Sequence, residues 1–311
     1  MAADLTFTSW SRPEAGHRWM VAEPVNGSGE SHRYLVPGVG MAHRYGPASE
    51  TGLFRHFAEI EPTEASVLGF ADAYGSLGGT VAEPIAIPSG ERSIVGAGER
   101  LRSWVSEIDA MRRMVNLWDL ARSRDARLGD YVLWQEPGVR WVDADQRGRL
   151  QSSEWIATDK LYPDLLDRFP RGDVVGPALH LVQRQVNRKL VEHGVSARLL
   201  WDARYTRLGL HIVPLSLIGF LWFQFAQAID GDKDYRRCPD CRKWFESTPH
   251  ATRSDRVFCS PSCKASAHRK KIAEARRLYA GGVGIKEIAR QLDSTPAKVQ
   301  GWVNPSGRQS K

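Results

Sequence analysis

The sequence is short of cysteine: 311 residues carry four, and all of them fall between 238 and 263. That scarcity excludes a disulfide-scaffolded fold, and a chain of this length buries a sizeable core without such staples. Also missing is a long, clean apolar run. The best, Ile212 to Ala228, is at the short limit for a bilayer span and contains Gln224 and Gln227, so it reads as a buried core helix and no membrane is expected. Met1 to Leu5 has neither the basic start nor the apolar stretch of a secretory leader, which makes the cytoplasm the expected compartment. No internal repeat or long low-complexity tract is present. Gly27-Ser28-Gly29 and Gly96-Ala97-Gly98 lack the spacing of a phosphate loop, and no Lys-Ser/Thr follows them.

Acidic charge is scarce at one end. Residues 233–311 hold 18 Lys and Arg against 7 Asp and Glu, whereas the first 232 hold 25 against 29. The polyanion partner implied by that excess belongs to the last quarter of the chain.

The first 232 residues read as α+β. Residues 1–128 are expected to be mainly helical, with short strands near Leu5–Phe7, Trp19–Val21 and Tyr34–Val36. Phe54, Phe57 and Ile60 share a helix face. Thr63 is the N-cap of a helix carrying Val67, Phe70, Ala71 and Tyr74. A longer helix is expected from Val95 to Leu120, with Leu101, Trp104, Ile108, Met111, Val115 and Trp118 on one side. The polar stretch 122–130 reads as a linker. Residues 129–232 continue with strands at Tyr131–Trp134 and Arg140–Val142 and a turn over 143–148 leading back to Leu150. A helix over Pro177–Glu192, a strand pair at 198–201 and 208–213, and the apolar helix over 215–229 complete the region. Chemistry is hard to find here. Glu59, Glu61 and Glu64 read as a solvated face. His17, His32, His43 and His56 lack ligand spacing, and the tryptophans read as core.

Residues 233–271 are different. Cys238, Cys241, Cys259 and Cys263 form two close pairs separated by 17 residues. Short-spaced thiolate pairs supply the four tetrahedral corners that zinc takes, and in a reducing compartment such pairs point to metal rather than to disulfides. Pro239 stiffens the first turn. Trp244-Phe245 and Val257-Phe258 are expected as short strands around a polar loop with Pro249 and His250, and Ser260-Pro261 reads as a helix start. Knuckle, hairpin and ligand-bearing helix together make a treble clef. Four cysteines close the shell around one structural ion, which leaves His250 and His268 supporting or phosphate-facing roles.

Residues 272–304 read as a three-helix module, with 305–311 a tail. Its first helix is the end of the one that starts at Pro261, which continues to Ala280 and stops at Gly281-Gly282. Ile285, Ile288, Ala289 and Leu292 mark the second, and Asp293-Ser294 the turn. Thr295 caps the third, which carries Val299, Trp302 and Val303 inward. This three-helix pattern resembles a helix-turn-helix, and that resemblance implies that Thr295, Lys298 and Gln300 face a major groove and that Arg269, Lys270, Lys271, Arg276 and Arg277 face phosphates.

Cys238-Pro-Asp-Cys241, Trp244-Phe245 and Phe258-Cys259-Ser260-Pro261-Ser262-Cys263, trailed by basic residues, resemble the small Phe-Cys-Ser-type treble-clef fingers of bacterial proteins and, more loosely, the CGNR-type zinc finger. The three helices are similar to the helix-turn-helix of resolvases, transposases and related regulators. These resemblances imply zinc and DNA binding, as in a transcriptional regulator or a mobile-element-associated factor, with a homodimer as one arrangement. Two alternatives stay open: an RNA-binding protein, and an enzyme whose N-terminal catalytic domain is targeted to nucleic acid by the tail.

Overall fold

The computed structural model describes residues 10–25, 30–89, 92–144, 150–157, 163–201, 206–248 and 256–304. Helix and sheet are mixed, and the chain divides into two compact units, Met1–Asp232 and Lys233–Lys311.

The first unit opens with strands β1 (Trp10–Pro13), β2 (His17–Pro24), β3 (His32–Pro37) and β4 (Ala42–Tyr45). Helices α1 (Leu53–Ala58) and α2 (Glu64–Tyr74) follow, then the hairpin β5 (Ala82–Ser89) and β6 (Arg92–Arg100), then the long helix α3 (Leu101–Arg122). β1 pairs with β4, while β2, β3, β6 and β5 close into a four-stranded barrel. Helix α4 (Leu128–Tyr131) leads into the meander β7 (Val132–Gln135), β8 (Gly138–Ala144) and β9 (Leu150–Trp155). Helix α5 (Val175–Glu192), the hairpin β10 (Ser196–Trp201) and β11 (Leu208–Val213), and helix α6 (Leu217–Asp230) end the unit.

Three sequence expectations need correction in this unit. The described part of 1–128 is not mainly helical, since six strands share it with the helices. The long helix also starts at Leu101 rather than Val95, because residues 92–100 form β6. Glycine decides this. Isoleucines of the paired strand β5 cross over Gly96 and Gly98, and a Cβ on Gly98 would lie 2.6 Å from Ile85 Cδ1 and 3.0 Å from Tyr34 Cβ. In a helix each glycine would cost about 1 kcal/mol, whereas in this strand it makes room for close packing. Gly98→Ala is therefore expected to lower stability by about 1–3 kcal/mol through overpacking. Urea unfolding measures it, and an unchanged midpoint would show that the barrel has slack at this point. The stretch read as a linker is a turn and α4, with Leu128 fully buried. Leu5–Phe7 and most of the turn over 143–148 lie outside the described residues.

The core of this unit is aromatic. Phe54 of α1 stacks on Phe225 of α6 at 5.2 Å, and Phe57 meets Phe70 of α2 at 5.5 Å. Trp104 and Trp222 are fully buried. Thr63 caps α2, its Oγ1 accepting from the Ser66 amide at 3.3 Å. The apolar run belongs to α6 from Leu217 onward, while Ile212 and Val213 end β11, and α6 is buried over most of its circumference. Gln224 satisfies backbone groups within the fold: its Oε1 accepts from the Phe54 amide at 3.0 Å and its Nε2 donates to the Glu50 carbonyl at 2.9 Å. Among the described residues no helix is long and apolar enough to cross a membrane.

The second unit contains β12 (Tyr235–Arg237), β13 (Trp244–Glu246), α7 (Pro261–Ala280), α8 (Ile285–Gln291) and α9 (Pro296–Val303). Ala275, Ile288, Ala289 and Val299 form the centre of the three-helix part, flanked by Leu278, Leu292 and Trp302. Small Ala275 and Ala289 let the helices approach closely. Asp293 takes a left-handed φ of 45° in the turn between α8 and α9, a conformation that Asp tolerates better than most residues.

Candidate metal centre

Hairpin geometry places the first two cysteines. β12 pairs antiparallel with β13, Arg237 opposite Trp244, so the Cys238–Lys243 turn sits at the hairpin end. The Cys238 amide donates to the Lys243 carbonyl at 2.9 Å, and Arg242 adopts φ 63° to close the turn. Ser260 places the last cysteine: its Oγ accepts from the Cys263 amide at 3.1 Å and starts α7, with Cys263 in the first turn. The strand partner of Trp244-Phe245 thus precedes it in sequence. Val257-Phe258, expected as a strand, is not one. The Arg-rich partner Tyr235–Arg237 is three residues long and offers no alternating pattern to find it by. Pro249 and His250 lie outside the described residues.

All four sulfurs fall within 4.8 Å of one another, with Cys241–Cys259 and Cys259–Cys263 separations of 3.4 Å. Four sulfurs each about 2.3 Å from a central ion in tetrahedral array stand about 3.8 Å apart, so the set is compatible with one structural metal ion. Each cysteine is free rather than disulfide-bonded. The electrostatics favour a cation as well. Burial works against ionising Cys238, but the backbone amides of Cys241, Cys259 and Asp240 outweigh it and bring the thiol down to about 6. Burial, reinforced by neighbouring thiols, pushes Cys259 strongly up, and Cys241 also rises through burial. Four clustered thiolates repel one another, and a central divalent charge removes that penalty.

A second convergence occurs in the first unit, where Glu107, Glu192 and His193 bring ligand atoms within 4.8 Å of one another. Lys189 Nζ already sits 2.6 Å from Glu107 and 2.9 Å from Glu192. An ammonium therefore fills the cation position, and the cluster is an ion-pair network.

The expected nucleic-acid contacts separate into two sets. A cleft of about 540 Å³ in the second unit is lined by His268 and Lys271 of α7, Asp293 and Ser294 of the turn, and Thr295, Lys298 and Trp302 at α9. It gathers Lys271, Thr295 and Lys298. Gln300 is exposed and lies outside the lining, since it stands two positions beyond Lys298 and so about 200° from it around the helix axis. Of the others, Lys270, Arg276 and Arg277 hold the unit together or pair locally. Lys270 bridges to Asp240 at 2.8 Å, tying α7 to the cysteine turn. Arg276 Nε donates to the Trp302 carbonyl at 2.8 Å, and Arg277 pairs with Glu274 at 2.6 Å. Lys271 Nζ donates to the Asp293 carbonyl at 2.9 Å. Arg269 is exposed on α7. The cleft also includes Trp302, which the helical pattern assigns to the core, and its ring packs edge-on against His268 at 5.8 Å. No family model, curated protein or solved structure matches the chain.

Proposed function

We propose that the chain is a zinc-stabilised, sequence-specific DNA-binding protein, in which residues 233–271 act as a treble-clef finger and 272–304 as a helix-turn-helix. Zinc is the ion because an all-thiolate tetrahedral shell suits it and leaves no open position for chemistry. The carrying observation is α7 itself. Its first turn supplies Cys263, and its later turns supply Ala275 to the three-helix core and Lys271 to the cleft. One helix thus couples the metal set to the surface that offers Lys298 and the capped start of α9. Thr295 Oγ1 accepts from the Lys298 amide at 3.4 Å, which fixes that start. The net positive charge of residues 233–311 supplies the sequence-independent attraction to phosphate. On this reading, regulation of transcription or service to a mobile element is the cellular role.

Selection of the full-length protein on a randomised duplex library tests the reading. Enrichment of one site is expected, with symmetry that reports the number of copies bound. Salt-sensitive binding with no enriched site would overturn sequence specificity, and preference for matched RNA would replace DNA as the partner. Lys298→Ala is expected to weaken binding to the selected site about tenfold and to reduce its salt dependence, with the melting curve unchanged because the side chain is exposed.

A further inference from the structure

In the first unit a buried histidine stands between an aspartate and a serine that are 55 and 59 residues away in sequence. His17 begins β2, with a side chain only 1% exposed. Its Nδ1 lies 3.2 Å from Asp72 Oδ1, and its Nε2 lies 3.2 Å from Ser76 Oγ. With the ring proton donated from Nδ1 to Asp72, Nε2 is left to accept from the serine hydroxyl. Asp72 Oδ1 also accepts from the His17 amide at 2.6 Å.

The local backbone is built to hold this chain of groups. Asp72 is on α2, and Ser76 follows the end of that helix. Gly75 delivers Ser76 through φ 92°, and a Cβ at Gly75 would stand 2.9 Å from the Ser11 carbonyl oxygen, so glycine is required there. Arg12 Nη1 donates to the Ala73 carbonyl at 2.9 Å. On the other side, the amides of Leu77 and Gly78 donate to buried Glu99 at 3.2 and 2.6 Å. His17 and Ser76 both line a cavity of about 620 Å³, shared with Trp10, Pro37, Leu215 and Leu217, and no Asp, Glu, Lys or Arg is among its described lining residues.

We propose that Ser76, His17 and Asp72 form an acyl-transfer site that accepts uncharged esters with an apolar acyl group. Ser76 Oγ bonds to the acyl carbon as its proton passes to His17 Nε2. The bond from that carbon to the ester oxygen then breaks, and the alcohol leaves with the proton from His17. Water then bonds to the acyl carbon and gives a proton to His17, the bond from that carbon to Ser76 Oγ breaks, the carboxylic acid leaves, and the proton passes from His17 back to Ser76 Oγ. Asp72 orients the imidazole and stabilises its protonated form. Burial holds the pKa of His17 below its ordinary value against the opposing pull of Asp72, which keeps the ring neutral and able to accept at neutral pH. The chemistry needs only water as co-reactant. Because Glu99 engages the Leu77 and Gly78 amides, those two donors are not aimed at an oxyanion. Loss of such a donor slows turnover by about 10²–10³, so covalent capture is a sharper readout than rate.

The full-length protein is treated with an alkyl fluorophosphonate and examined by intact mass and peptide mapping. One phosphonyl group on Ser76 is expected. The adduct should be absent in Ser76→Ala, whose melting curve reports the fold, and should form at least about tenfold more slowly in Asp72→Asn, at a partly exposed side chain. Hydrolysis of p-nitrophenyl butyrate should fall in parallel. No adduct on Ser76 in the wild-type protein, or an adduct formed at an equal rate in Asp72→Asn, would overturn the proposal. Lys298→Ala should label like the wild type, so failure here is distinct from failure of the DNA-binding reading.

Discussion

Chelation of the metal, or Cys259→Ser, is expected to erase structure over residues 235–248 and 256–263 while leaving the three-helix core largely in place. The buried side chains tell the two parts apart. Between 233 and 260, among the described residues, only Cys238, Phe245 and Ser247 are buried, far too little apolar surface to offset the chain entropy of ordering the segment. A structural zinc ion supplies about 10–16 kcal/mol of apparent binding energy at neutral pH, all of it available to folding. Residues 275–303 have their own apolar centre in Ala275, Ile288, Ala289 and Val299. Amide hydrogen exchange on the full chain measures the effect. Protection should vanish around Cys238 and Cys263 and persist around Ile288 and Val299. Equal protection with and without chelator would show that the cysteines are not a folding site. On the proposed DNA-binding reading, affinity for DNA should drop with the metal, because the first turns of α7 lose their anchor and Lys270 its partner Asp240. Acid should act in the same direction as chelator, since protons compete with the metal for thiolates.

Lys189→Met is expected to destabilise the first unit by about 3–5 kcal/mol, the cost of leaving a buried carboxylate without its cation. Glu107 and Lys189 have side chains only 6% and 8% exposed, and their charged atoms stand 2.6 Å apart. Trp222 Nε1 donates to Glu107 at 3.2 Å, and His193 Nε2 lies 3.3 Å away. Burial alone raises the pKa of Glu107, but His193 and Lys189 overcome it and leave the carboxyl below its ordinary value. The group is therefore charged in the fold, and removing the ammonium strands that charge. Lys189→Met combined with Glu107→Gln should recover most of the loss, because the pair is strongly coupled. Urea unfolding of both singles and the double closes the cycle. Additive costs would show that the two groups contribute separately.

The second unit was largely legible in the sequence because its determinants are local. The cysteine set spans 26 residues, the caps Ser260 and Thr295 follow from residue type at a helix start, and the core positions Ile288, Ala289 and Val299 follow from helical spacing. The basic residues were legible as charge but not as contacts. Only the fold commits Lys270 to Asp240 and Arg276 to the Trp302 carbonyl, and leaves Lys271 and Lys298 at the cleft. In the first unit, elements with a strong period or cap were found: α2 behind Thr63, the hairpin at β10 and β11, and the apolar helix α6. The barrel was not, since its closure pairs β2 with β5 across some sixty residues and its glycines read locally as breakers. Nor were the two buried polar clusters. Glu107 meets Lys189 over 82 positions and His17 meets Ser76 over 59. By itself the sequence determined what neighbours along the chain can settle: a thiolate set, helix starts and stops, and the sign of charge. The tertiary structure decided which distant polar groups share a buried site. That choice depends on desolvating them together, and residue spacing carries no record of it.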